Sequence, residues 1–309
     1  MTFALVFPGQ GSQSPGMMNG FAADAAVRDT FAEASECLKQ DLWQLASDGP
    51  AEALNATVNT QPLMLTAGVA VYRAWRAAGG REPALVAGHS LGEYTALTCA
   101  GALAFTDALP LVRFRAQAMQ EAVPAGEGAM AAILGLDDDA VRAACAEAAG
   151  AETVEAVNFN APSQVVIAGH KAAVERAVER ARARGARRAM LLPVSAPFHS
   201  SLLKPAAERL AGYLRDVTLA VPRIPMLNNV DVATESAPER IKDALARQAC
   251  NPVRWVESVQ AIAQRGITSV AECGPGKVLA GLTRRIGPEL QSFALTDTEA
   301  LTAARAAVR

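Results

Sequence analysis

Two kinds of hydrophobic pattern alternate along the chain. Thr2 to Phe7 is a short, apolar, β-prone run, which predicts a buried strand, and Ala84 to Ala87 is a second short apolar run of the same kind. Each is closed by residues that end a strand, Pro8-Gly9 in the first case and Gly88 in the second. Longer Ala-rich segments, Phe21 to Leu45 and Pro62 to Ala78, carry their apolar residues at helical spacing, and Glu93 to Cys99 resumes that spacing just after the second strand.

From Gly128 to Pro193 the pattern becomes six alternating elements. Ala129 to Leu136 predicts a strand, Asp137 to Ala149 a helix opened by Asp137-Asp138-Asp139, and Thr153 to Phe159 and Gln164 to Ala168 two further strands. His170 to Arg184 then predicts a helix stopped by Gly185, and Arg187 to Val194 a last strand. The order βαββαβ is the ferredoxin-like arrangement. Signals of the first kind then return, with helices over Leu202 to Leu214 and Pro238 to Ala249 and strands over Pro225 to Asn229 and Thr268 to Cys273. The chain therefore reads as a main α/β domain, residues 1–124 and 197–309, interrupted by an inserted unit, residues 125–196.

Composition narrows the function classes. With 309 residues, 51% apolar and 19% charged, the chain can bury a large core and is not extensively disordered. A formal charge of −2 provides no general attraction for nucleic acid or anionic lipid. The apolar start, Met1 to Val6, has no basic flank and runs into Pro8, so it fits neither a signal peptide nor a membrane span. The five cysteines are scattered, with no C-x-x-C pair, which fits a reducing, cytoplasmic setting and no metal.

The chemistry concentrates at Gly88-His89-Ser90-Leu91-Gly92, a G-x-S-x-G sequence placed between a strand and a helix. In that setting small residues on both sides permit a sharp turn that exposes a serine hydroxyl at a helix N-terminus. Serine needs a base, and the chain has three histidines. His89 adjoins the serine, where neighbouring side chains diverge, so packing or positioning is expected of it. His170 opens a polar helix, where a solvated or capping role is expected. His199 lies in Pro197-Phe198-His199, where the insertion rejoins the main domain and a cleft should form. No convincing acid stands between Ser90 and His199: Asp137 to Asp139 are explained by helix capping, and Asp107 follows the helix after the elbow. A Ser–His dyad is expected, its second ring nitrogen bonded to a neutral group such as a backbone carbonyl.

Seven motifs in order strengthen this reading. They are Phe7-Pro8-Gly9-Gln10-Gly11-Ser12-Gln13, Gly88 to Tyr94, Arg115 with Met119-Gln120-Glu121, Asn158-Phe159-Asn160, Pro197-Phe198-His199, Gln248 ahead of Asn251-Pro252-Val253, and Gly274-Pro275-Gly276-Lys277. The series resembles that of malonyl-CoA:acyl-carrier-protein transacylases from Phe3 to about Ile286. The resemblance implies an α/β-hydrolase-like large domain with a ferredoxin-like insertion. It implies Ser90 as nucleophile, His199 as base, an oxyanion hole from the backbone N–H groups of Gln10 and Leu91, and Arg115 as clamp for the acyl carboxylate. Gln248 would orient His199 through its main-chain carbonyl, and Asn160 would stand at the substrate margin. Malonyl-CoA and phosphopantetheinylated acyl carrier protein are the implied substrates, with no bound cofactor and a monomeric protein. Phe198 beside His199 resembles malonyl-selective members.

The planar fork of Arg115 suits bidentate binding of a carboxylate, whereas Arg113, two positions away on the same helix, should point elsewhere. A serine thioesterase or lipase-like hydrolase would use the same dyad but release its acyl group to water; a silent docking subunit would not acylate at all. Acyl carrier proteins are acidic, so Arg180, Arg182, Arg184, Arg187 and Arg188, or Arg284 and Arg285, are candidates for a docking rim.

Overall fold

The computed structural model describes residues 2–194 and 196–308; Met1, Arg309 and, in the junction before His199, Ser195 lie outside the described residues. Nine strands form among them: β1 (Phe3–Phe7), β2 (Leu85–Gly88), β3 (Gly128–Leu134), β4 (Val154–Ala161), β5 (Gln164–His170), β6 (Arg188–Leu191), β7 (Met226–Leu227), β8 (Ser269–Cys273) and β9 (Gln291–Leu295). The two fully apolar runs become neighbours at the centre of a parallel sheet of order β7-β2-β1-β8-β9. Their alternating side chains feed both faces. Phe3, Leu5, Phe7 and Val86 pack with Trp75 and Tyr94 on one side, and Ala4, Val6, Leu85 and Ala87 pack with Trp255, Val259 and Ile262 on the other. Burial on both faces is why these strands are apolar throughout.

The remaining four strands form an antiparallel sheet of order β4-β5-β3-β6. Two helices, Asp138–Ala149 and Lys171–Ala183, cover one face through Ala131, Ile133, Val165 and Ile167. The opposite face carries Met130, Val157, Val166 and Ala168, with Phe198 packed against it. This is the ferredoxin-like arrangement expected of the insertion. Asp137 does cap its helix, accepting from the Ala140 N–H at 2.7 Å.

Several expected elements are corrected. The segment Phe21 to Leu45 is not one helix: it breaks between Ala25–Leu38 and Leu42–Asp48, with Lys39 left-handed at φ 52 and Asp41 capping the second piece. The strand expected to reach Val194 stops at Leu191, and that expected over Pro225 to Asn229 pairs only at Met226–Leu227. His170, partly exposed, ends β5 and stands at the N-cap position of the helix Lys171–Ala183, but without a side-chain capping bond; its Nδ1 instead accepts the Thr153 N–H at 3.0 Å. No helix among the described residues is long and apolar enough to cross a membrane.

Candidate active site

The elbow depends on close backbone approach. A Cβ on Gly88 would come within 1.8 Å of the Gly92 carbonyl carbon, and one on Gly92 within 2.0 Å of the Phe7 carbonyl oxygen. Only glycine fits at both positions, so the chain can reverse from β2 into the helix Gly92–Cys99 with Ser90 held at φ 53. The same crowding lays the β1 loop on the elbow: a Cβ on Gly9 would sit 2.5 Å from the His89 carbonyl oxygen. Among the described residues, none accepts a hydrogen bond from the backbone N–H of Gln10 or of Leu91.

His199 arrives from 109 positions downstream, and its Nε2 lies 2.7 Å from Ser90 Oγ. Its Nδ1 faces the main-chain oxygen of Gln248 at 2.8 Å. A carbonyl can only accept, so Nδ1 carries the proton and Nε2 presents its lone pair to the serine. His199 is itself left-handed, at φ 67, on the segment that follows the insertion. Burial, and then the positive charge of Arg115, hold its imidazole down to about 3. The resting dyad is therefore neutral.

That depression makes a stability prediction. The unfolded imidazole takes up a proton near its ordinary value of 6.5, while the folded one resists protonation until about 3. Stability contributed by the neutral ring is thus lost as pH falls through this window, approaching about 1.4 kcal/mol per pH unit. Thermal unfolding of His199→Gln across the same range should show a shallower acid slope than the parent protein; identical slopes would contradict the assignment.

Arg115 lies in the helix Phe105–Glu121 and is 1% exposed. Its Nη1 donates to Gln61 Oε1 at 2.8 Å, and its Nη2 donates to Gln248 Oε1 at 2.8 Å and to Ser90 Oγ at 3.1 Å. Its guanidinium stands over the Tyr94 ring, 5.3 Å from the centroid. No carboxylate pairs with it directly among the described residues. Arg113 does point elsewhere, to Gln40 and to the Leu38 carbonyl.

Sequence reasoning named Gln248 but missed Asn229, Glu93 and Gln61 around it. Asn229 spans the elbow: its Oδ1 accepts from the Ser90 N–H at 2.8 Å, its Nδ2 donates to the Gly88 carbonyl at 2.7 Å, and its own N–H donates to Glu93 Oε2 at 3.0 Å. Gln248 donates from Nε2 to the Ser90 carbonyl and to Glu93 Oε2, each at 2.9 Å. One signal pointed to Asn229, a polar residue just past a short parallel strand, where α/β sites collect. Gln61 showed only as an amide inside a helix that buries its neighbours.

Asn160 does not approach the dyad directly. Its Oδ1 bonds His89 Nε2 at 2.8 Å, and the His89 ring packs against Trp255. A cavity of about 480 Å³ is lined by Gln10, Thr57, Gln120, Leu192, Val194 and Phe198, where the main domain meets the antiparallel sheet. A larger one, about 630 Å³, is bounded by Arg142, Phe159, Lys204 and Arg254 and includes none of the dyad residues. Among the described residues no cluster of His, Cys, Asp or Glu could hold a metal ion.

A parallel sheet covered on both faces, with a serine–imidazole pair at a glycine-walled elbow, is the layout of an α/β enzyme of the acyl-transfer type. Residues 4–292 match the acyl transferase domain family. A malonyl CoA-acyl carrier protein transacylase of Escherichia coli K12 is 55% identical over 303 residues, covering 98% of each chain. The crystal structure of an acyl-carrier-protein S-malonyltransferase from Burkholderia pseudomallei superposes with TM-score 0.98 at 64% identity, covering 99% of this chain and 100% of that one. A type II polyketide-synthase acyl carrier protein in complex with its malonyl-transacylase gives TM-score 0.98 at 51% identity, with the same coverage. The chain belongs to the malonyl CoA-acyl carrier protein transacylase family.

Proposed function

We propose that this protein moves a malonyl group from malonyl-CoA to the phosphopantetheine thiol of acyl carrier protein through an acyl-serine on Ser90. The observation that carries the reading is convergence on one atom: Ser90 Oγ is met by His199 Nε2 at 2.7 Å and by Arg115 Nη2 at 3.1 Å. A base and a carboxylate receptor therefore flank the same nucleophile. His199 takes the Ser90 proton as Oγ attacks the thioester carbonyl, and the oxyanion forms against the free N–H groups of Gln10 and Leu91. Each such donor is worth about 10² to 10³ in rate. The oxyanion collapses, the proton passes to the departing thiolate of coenzyme A, and the carrier thiol reverses the sequence to release Ser90.

Gln248 holds the imidazole through its carbonyl and the guanidinium through its side chain, so one residue aligns base and clamp. Asn160 acts at the substrate margin, through its bond to His89. The division into residues 1–124 with 197–309 and an insertion of 125–196 is supported by the meeting of its ends: a Cβ on Gly128 would lie 2.5 Å from Pro197 Cδ. We place the protein in the cytoplasm as a monomer with no bound cofactor; the free state of all five cysteines supports a reducing compartment. A steady-state assay separates transfer from hydrolysis. Malonyl should appear on added carrier protein, and malonate release from malonyl-CoA alone should be slower by about 10²-fold or more; malonate release that is equally fast and indifferent to carrier would favour the hydrolase.

Of the candidate docking cations, Arg182 pairs with Glu179, Arg184 with Glu147, and Arg285 with Gln164 and the Pro162 carbonyl. Arg187 and Arg188 are exposed beside Met190 and Leu191, which are 43% and 48% exposed, on the edge strand that leads to Leu192 at the cavity. A basic strip with apolar contacts suits an acidic carrier. Arg187→Glu with Arg188→Glu should raise the carrier KM several-fold, more at low salt than at high salt, with kcat unchanged. An unchanged KM at every salt concentration would move the docking site elsewhere.

A further inference from the structure

Arg115 is buried without a carboxylate in direct contact, yet one buried carboxylate stands a single amide away. Glu93 is 0% exposed in the first turn of the elbow helix. Its Oε2 accepts from Gln248 Nε2 and from the Asn229 N–H, and its Oε1 has no partner among the described residues. Gln248 Oε1 in turn accepts from Arg115 Nη2, so a guanidinium and a carboxylate share one glutamine side chain, oriented to satisfy both. Other charged or titratable groups acting on this pair are Tyr94 and His199 on the Arg115 side and Asp231 beyond Asn229.

We propose that Glu93 is the counter-charge that keeps Arg115 buried in the empty site, relayed through Gln248, and that it thereby limits the preference for acyl groups bearing a second carboxylate. An isolated buried guanidinium is strongly disfavoured, and so is an isolated buried carboxylate; each makes the other tolerable. Above the folded value of the Glu93 carboxyl the empty pocket is balanced, one cation against one anion. A malonyl group on Ser90 adds a second anion, so Glu93 opposes the acyl carboxylate that Arg115 attracts. Linkage then requires that Glu93 hold a proton more readily when the acyl group is present. Burial already pushes its carboxyl up to about 7, within reach of such a change. Glu93 touches no substrate and is a positioning residue; its role in selection rests on the reading of Arg115 as the acyl clamp.

The test combines stability and selectivity. In Glu93→Gln the side chain keeps its shape and its acceptor for Gln248 and Asn229 but loses its charge. Thermal unfolding of the empty protein at a pH above the folded value of Glu93 should show R115Q destabilised and E93Q/R115Q more stable than R115Q, because Gln at 93 removes the carboxylate that R115Q leaves buried without its counter-charge. Effects that simply add, or a double variant no more stable than R115Q, overturn the pairing, because a purely architectural role has no reason to be rescued by removing the opposite charge. The R115Q deficit should also shrink as pH is lowered. Glu93, its folded pKa raised above its unfolded value, contributes stability at low pH that is lost as pH rises through the folded value. Among rates, E93Q should raise the ratio of malonyl to acetyl kcat/KM by about fivefold or more, the size of coupling seen between charges in one network. An unchanged or lowered ratio with intact double-variant rescue would keep the pairing and reject its part in selection. If R115Q instead loses malonyl and acetyl transfer equally, the clamp reading fails while the charge pair stands.

Discussion

A Ser90→Ala protein incubated with malonyl-CoA should keep its unmodified intact mass, while the parent protein gains one malonyl group. Transfer to carrier protein should fall by about 10⁴-fold or more, the scale seen when a nucleophile is deleted from a serine enzyme. The loss is this large because no neighbouring group can replace the oxygen. His199 Nε2 is aimed at Ser90 Oγ, and the Arg115 fork reaches the same atom. Alanine removes one oxygen at a site already held by Asn229 through the Ser90 N–H, a contact that the substitution retains. The variant should therefore fold normally, and its thermal midpoint should stay close to that of the parent protein. An adduct on the alanine variant would relocate the nucleophile and remove the basis of the proposed mechanism.

The parts of the fold that could be read from the sequence are those whose pattern reports burial directly. β1 and β2 are apolar throughout because the parallel sheet is covered on both faces, and the insertion showed through its βαββαβ order of strand and helix runs, β3 and β5 being buried at most positions because Phe198 and its neighbours cover the face that the helices leave. The break at Lys39 was invisible because neither glycine nor proline marks it. β9 left little signal as well: its residues Gln291 to Ala294 are only partly covered at the sheet edge, so neither alternation nor a full apolar run develops. The helix Trp255–Gln264 does bury Trp255, Ser258, Val259 and Ile262 at helical spacing, a signal passed over beside the motif residues upstream. In the site, short-range chemistry was legible and long-range chemistry was not. Ser90 announced itself through glycines two positions away, but Glu93 acquires its meaning from Asn229 and Gln248, 136 and 155 positions distant. A strand-to-helix turn is a local pattern; a hydrogen-bond network closed by tertiary packing has no local signature.

Arg115→Ala should cost malonyl transfer roughly 3 to 5 kcal/mol, the penalty for removing one partner of a buried charged contact. At about 1.4 kcal/mol per tenfold, that is a fall of about 10² to 4 × 10³ in kcat/KM. The decisive quantity is the ratio of malonyl to acetyl transfer, since acetyl has no carboxylate to lose. Arg115 influences this ratio in two ways. Its fork supplies the cation that an acyl carboxylate needs once it leaves water. Its charge also depresses the His199 imidazole, second only to burial as a cause. A malonyl carboxylate seated on the guanidinium neutralises that charge, so the base regains proton affinity when the acyl group carrying the second carboxylate is in place. Acetyl brings no such relief. Alanine at 115 would free His199 from the positive charge for both acyl groups, although it would also unpair Gln61 and Gln248 Oε1. Acetyl transfer should thus change far less than malonyl transfer, and the selectivity ratio should collapse by about 10²-fold. Parallel losses for the two acyl groups would reduce Arg115 to a scaffold for Ser90 and Gln248.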